Sequence, residues 1–122
     1  MEQEHSAEFV KDIQRLIVAA VNNDRVYWMN APENDKTFPY IVYEIRSVGG
    51  DKVIALDIWG KRGDEIIVSD LADTIEAALD NEVIYNQYHA SILSTQNNKE
   101  WIADEDERII RLSMSFDATY QA

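Results

Sequence analysis

Apolar residues at Phe9, Ile13, Leu16, Ile17 and Ala20 recur every three or four positions, while Lys11, Asp12 and Arg15 fall away from them. That spacing predicts an amphipathic helix, with Ser6 able to cap its start and Asn22-Asn23-Asp24 ending it. A short strand is expected at Val26 to Met29. The polar stretch from 30 to 38 contains Pro32 and runs into Pro39, so it reads as a loop and a candidate contact element.

The stretch PYIVYEIRSVGGDKVIALDIW, residues 39 to 59, then reads as two strands folded about Gly49-Gly50. A two-residue turn there pairs Ile45 with Ile54, Tyr43 with Leu56 and Ile41 with Ile58, which marks one face as core. The other face pairs Arg46 with Val53, Glu44 with Ala55, Val42 with Asp57 and Tyr40 with Trp59. A solvated face favours charged residues and Thr, so Tyr40, Val42, Val53 and Trp59 are too apolar for water. Either another segment of the same chain covers them or a neighbouring subunit does.

Gly60 to Gly63 leads, with Asp64 as a candidate cap, into a second helix whose stripe is Ile67, Leu71, Ile75, Ala78 and Leu79. Asp70, Asp73, Glu76 and Asp80 lie opposite, crowding one another without a basic partner, as on a solvated or repulsive face. Two strands are expected after it, Tyr88 to Thr95 and Ile109 to Ala118. In the second, Ile110, Leu112, Met114, Phe116 and Ala118 alternate with polar or edge residues. Between them Trp101 and Ile102 are the large apolar residues of a charged loop, and they either fold back onto the sheet or dock elsewhere. The expected fold is α+β: a mostly antiparallel sheet of about five strands with two helices packed on one face, in the order α-β-β-β-α-β-β. One domain spanning residues 1–122 fits that length, which suffices to bury about two thirds of the unfolded surface.

Charge narrows the partners. Twenty-three acidic against 11 basic residues give a net charge of -12, which disfavours ion pairing with a phosphate backbone. Between Arg62 and Lys99 there is no Lys or Arg, only acids. Cysteine is absent, which excludes disulfides, thiolate nucleophiles and cysteine-ligated zinc. The acidic N-terminus lacks the pattern of a secretory signal and no stretch reaches the ~18 apolar residues of a membrane span, so a soluble, cytoplasmic product is expected. His5 and His89 are far apart, and no phosphate loop, G-x-S-x-G elbow, H-E-x-x-H or EF-hand pattern occurs. Asp104 to Glu107 lacks the spacing and turn glycine of a calcium loop. The expectation is a protein without catalytic role, cofactor or metal, although two carboxylates of a hydrolase can meet in a fold without leaving a motif.

The order of these elements, with FPYIVYE, LDIWG, IIVSDLADTIEAALDN and RIIRLSMSFDATY at their places, resembles the tail terminator (tail completion) proteins of long-tailed bacteriophages and prophages. The resemblance runs from about Phe9 to Tyr120. It implies a virion tail protein, assembled in the bacterial cytoplasm, that forms a ring with copies of itself, usually a hexamer. Such a ring caps the tail tube protein, ends polymerisation and presents a surface to the head-completion or connector protein. Tyr40, Val42, Val53, Trp59 and Trp101 then become subunit or tube contacts. Asp70, Asp73, Glu76 and Asp80 become candidates for a lumen that repels DNA, which passes without being bound; no membrane is involved. Neighbouring neck proteins of similar size, a small non-enzymatic adaptor domain and an acidic DNA mimic stay open as alternatives.

Overall fold

The structure is a computed structural model that describes residues 2–22, 25–29, 31 and 37–121. Its elements are α1 (Glu2–Val21), β1 (Val26–Trp28), β2 (Tyr40–Val48), β3 (Asp51–Lys61), α2 (Glu65–Leu79), β4 (Val83–Tyr85), β5 (Ala90–Thr95), β6 (Glu100–Ile102) and β7 (Ile109–Ala118). The strands form one mixed sheet in the order β1-β2-β3-β7-β5-β4, with β6 also paired to β7. Both helices cover the same face. No helix among the described residues is long and apolar enough to cross a membrane.

The β2–β3 hairpin has the expected register, from Val48 opposite Asp51 to Tyr40 opposite Trp59. Gly49 and Gly50 sit at φ of 57° and 95°, and two successive positive φ values are what a tight turn matching the strand twist requires. β3 continues into a second antiparallel ladder with β7, from Lys52 opposite Ala118 to Lys61 opposite Ile109. The far edge of β7 is divided between two strands. β5 takes residues 116 to 118 and β6 takes 111 to 113. Between them the chain bulges at 96–99, where Ser115 N–H donates to Asn98 Oδ1 and Gln96 N–H to the Ser115 carbonyl.

Several expectations are corrected. The sheet has seven strands rather than about five, because Val83–Tyr85 and Glu100–Ile102 pair in runs of three residues, too short to show a period. β1 pairs with β2 in parallel, not antiparallel. α1 begins at Glu2, so its helix runs through Ser6 instead of being capped there. Asp64 is the residue before α2, but its side chain makes no cap bond. In the stripe of α2, Ile75 and Leu79 are buried as expected and Leu71 and Ala78 pack partly buried against the core, but Val68 and Ala72 are also fully buried and Ile67 is exposed. Trp101 and Ile102 join the sheet as part of β6. Of the 30 to 38 loop, residues 30 and 32–36 lie outside the described residues.

The core forms where the sheet's helix-side rows meet the two helical stripes. Ile41 and Tyr43 of β2, Ile54, Leu56 and Ile58 of β3, and Leu112, Met114 and Phe116 of β7 pack against Phe9, Ile13 and Ile17 of α1 and the four buried residues of α2. Each buried Val, Leu, Ile, Met or Phe among them contributes roughly 1.5–3 kcal/mol. Asp12 and Gln14, two positions apart, point to opposite flanks of α1. Gln14 accepts from Tyr43 Oη at 2.7 Å and donates to the Val26 carbonyl at 3.0 Å, which fixes α1 over β1 and β2. Burial pushes the Tyr43 phenol up to about 12.

At Gly60 the helix α2 comes close to the sheet. A Cβ there would stand 2.7 Å from Val68 Cγ2, and Val68 is a stiff, fully buried β-branched side chain. Gly60→Ala is expected to destabilise the fold by about 1–3 kcal/mol through overpacking, read as a lowered denaturant midpoint. An unchanged midpoint would mean that α2 lifts from β3 without cost.

Candidate assembly surface

The face of the sheet away from the helices is built from the residues that alternate with the core. Its rows, in register across β2, β3 and β7, are Tyr40–Trp59–Arg111, Val42–Asp57–Ser113, Glu44–Ala55–Ser115 and Arg46–Val53–Asp117. Most of these residues, with Phe38, Glu100, Asp104 and Ile109 at the rim, line a concave cleft of about 1100 Å³.

One end of the cleft is aromatic. Tyr40 stacks on Trp59 at 6.0 Å between centroids and 13° between planes, with Phe38 at 5.4 Å and Tyr27 at 6.4 Å from the Tyr40 ring. The Arg111 guanidinium lies 4.8 Å from the Trp59 centroid, a cation–π arrangement. Tyr40 is therefore only 6% exposed, covered by its own chain, whereas Val42, Val53 and Trp59 stay half-buried. Burial first, and then the negative charge of Asp104, raise the Tyr40 phenol above its ordinary range.

The centre of the cleft is a charged network. Asp57 accepts from Arg111 Nη2 at 3.0 Å and from the Ser113 hydroxyl. Arg111 Nε is enclosed and has no hydrogen-bond partner among the described residues. A guanidinium with one donor satisfied and another held dry is a group an incoming acceptor can complete.

Trp101 does not belong to this surface. Its register partner is Leu112, a core residue, so its side chain belongs to the helix side of β6, 47% exposed at the sheet margin. Asp57, Arg111, Ser113 and Phe38 escaped the reading of the sequence. For Asp57, Arg111 and Ser113 the signal was the polar alternation within two strands, but only the β3–β7 register brings those positions together; Phe38, outside any strand, left no such signal.

The acidic row of α2 does have a basic partner. Lys99 Nζ reaches Asp73 at 2.6 Å and Glu76 at 3.1 Å, and the bond to Asp73 leads in raising the lysine pKa. Glu76 also accepts from Thr95 Oγ1, and Asp80 from the Thr95 amide. Three of the four carboxylates thus anchor the bulged β5–β6 link to the helix. Asp70 alone of the four stays exposed with no bond to another described residue.

His89 sits on the helix side and is fully enclosed. Its Nε2 lies 2.7 Å from Asp12 Oδ2 and its Nδ1 3.0 Å from Ser91 Oγ, while Phe9 and Tyr120 cover the ring. Asp12 is also held by Arg15 at 2.8 Å and Asn86 at 3.0 Å. The set resembles a relay by composition, yet the side chain of His89 has no exposed surface and Ser91 is 2% exposed, so it fastens α1 to β5. Among the described residues no three His, Asp or Glu side chains converge as a metal site requires.

No family model and no curated protein matches the chain. Among solved structures, the fold is similar to that of a chain in the virion of a native gene transfer agent particle. The TM-score is 0.69 at 14% identity, over 93% of this chain and 92% of that one. A second solved protein, known only by a sequence label, gives a TM-score of 0.69 at 16% identity, over 100% and 97% of the two chains. At such identities the correspondence is one of fold.

Replacing His89 with Phe leaves the buried Ser91 hydroxyl without its side-chain partner and removes one of the three groups that hold Asp12. The expected cost is about 1–3 kcal/mol of stability, measured by denaturant titration, with the cleft on the other face unaffected. A variant as stable as the parent would mean that Arg15 and Asn86 suffice to hold Asp12.

Proposed function

We propose that this chain is a structural protein of a phage-like virion, and that it caps the tail tube as a ring, ends tube polymerisation and provides the head-joining surface. The observation that carries the reading is the end-to-end fold correspondence with a chain of a gene transfer agent virion. The resemblance of FPYIVYE, LDIWG and RIIRLSMSFDATY to tail terminators supplies the finer role. The concave sheet face adds support, since its half-buried Val42, Val53 and Trp59 and the dry Nε of Arg111 are groups that a protein surface completes better than water does. On this reading the tube end docks in the cleft. The neighbouring subunits meet elsewhere, and a ring number of six follows the tail terminators. The unpaired carboxylate of Asp70, together with the net charge of -12, keeps the passing DNA from sticking.

The test is tube growth. Added to polymerising tail tube protein, the chain is expected to stop elongation and to sit at tube ends by electron microscopy. Trp59→Ala removes the aromatic that stacks on Tyr40 and under Arg111, and is expected to raise the capping concentration about tenfold or more. The variant should remain folded by circular dichroism. A chain that ignores tube ends, or a folded Trp59→Ala that caps like the parent, overturns the reading.

A further inference from the structure

The two strands at the ends of the sheet order are short, three residues each, but neither has a chemical block to pairing. β1 (Val-Tyr-Trp) and β4 (Val-Ile-Tyr) contain no Lys, no Pro and no charge, the residues with which proteins blunt free edges. Both margins also carry exposed apolar side chains: Trp28 at 51% and Met29 at 53% on one, Tyr85 at 84% and Val83 at 61% on the other.

Among the described residues, nothing bonds the backbone of either margin where pairing would need it. β1 bonds to β2 through Arg25, Tyr27 and Met29, so the N–H and C=O of Trp28 point outward. Val26 points the same way, but its carbonyl is taken by Gln14. In β4, Ile84 pairs with Ser91 in the same bonding phase as Asn86 with His89, so Val83 and Tyr85 point outward.

Direction and side-chain parity then agree. Following the pairings across the sheet, β1 and β4 run the same way. Two copies placed side by side in one orientation would meet as parallel strands. In a parallel pair, a residue whose amide points at the partner lies beside one whose amide points away, with both side chains on the same face. Trp28 is in register with the core residue Tyr43 and belongs to the helix side, and so does Ile84 with its partner Ser91. Setting Trp28 of one copy beside Ile84 of the next lets the Trp28 amide donate to the Val83 carbonyl. The Tyr85 amide then donates to the Trp28 carbonyl. Helices remain on one face throughout.

Charge decides against pairing of like edges. Residues 63 to 98, which contain α2, β4 and β5, carry seven carboxylates and no Lys or Arg. Glu82 directly precedes β4 and would face its own copy where two β4 edges met, whereas no acid directly precedes β1.

We propose that β4 of one copy adds in parallel to β1 of the next, so that the sheet continues from subunit to subunit. The contact is head-to-tail, the kind that closes into a ring when its rotation permits. This rests on the ring reading above and names the interface that reading lacks, separate from the cleft.

The experiment uses two edge variants of the full chain, followed by native mass spectrometry and analytical ultracentrifugation across a concentration series. Tyr85→Pro removes one outward donor without touching the ladder to β5, and Trp28→Lys places a charge on the other edge. The parent is expected to associate. Each variant alone should need about a hundredfold more protein to do so. Mixed one to one, they should form a heterodimer and stop there, because each retains the edge the other lacks. If Tyr85→Pro fails to fold by circular dichroism, Tyr85→Lys replaces it. A parent that stays monomeric at every concentration overturns the proposal, as does full-size assembly by either folded variant. A variant that dimerises alone shows like-edge pairing and overturns it too. Capping of tubes by a parent whose assembly ignores both substitutions would sink this interface and leave the capping role intact. Closed rings that never bind tubes would do the opposite.

Discussion

The ladder between β3 and β7 is the constraint on which the rest of the molecule depends. β3 is the strand with a long partner on both sides, β2 through the hairpin and β7 through ten register pairs. Strict alternation along β7 puts Ile110, Leu112, Met114, Phe116 and Ala118 on one side, opposite the alternating positions of β3. A slip of one residue would present Arg111, Ser113 and Asp117 to the helices, which makes the register all-or-none. Once it is set, the helices have one apolar floor to cover. The polar complement of the same two strands is assembled on the other side without further instruction.

That complement explains why the second sheet face is neither core nor ordinary surface. Asp57, Arg111 and Ser113 are brought together by register and satisfy one another in part, while Tyr40 and Trp59 stack beside them. A partly desolvated ion pair adds little to stability by itself, because the cost of dehydrating two charges offsets much of their attraction. Its value lies in fixing the shape of the cleft and the orientation of the Arg111 donors. Tyr40, in contrast, is already buried by Phe38, Tyr27 and Trp59, so it supports the surface more than it offers contact.

The parts of this arrangement that could be read from the chain are those with a local rule. Gly49-Gly50 fixes a turn, the turn fixes every pair of the hairpin, and the period of two in Ile109–Ala118 fixes its buried side. The parts that could not be read depend on distant pairing. Val83–Tyr85 and Glu100–Ile102 are three residues long, and they are strands only because β5 and β7 offer them an edge. Ile67 reads as core in line with Leu71, yet it is Val68 that packs over Gly60, and Ile67 stays outside. His89 reads as a lone histidine, and its partners Asp12 and Ser91 are found only when α1 is laid over β5.

The acidic run shows the same dependence and limits what its charge can do. Read along the helix, Asp70, Asp73, Glu76 and Asp80 form an unbroken anionic row, the kind that repels a phosphate backbone or imitates one. In the fold, Lys99 arrives from the bulged link between β5 and β6 and bridges Asp73 to Glu76, while Thr95 engages Glu76 and Asp80. Those carboxylates therefore hold the link in place, and their geometry answers to Lys99 and Thr95 instead of to a ligand. Imitation of DNA needs free charges at regular spacing, which this row no longer has. Repulsion needs only a net excess of one sign, and that survives because one lysine stands against four acids. The acidic face is thus compatible with a surface that DNA passes without binding, and poorly suited to one that competes with DNA for a protein.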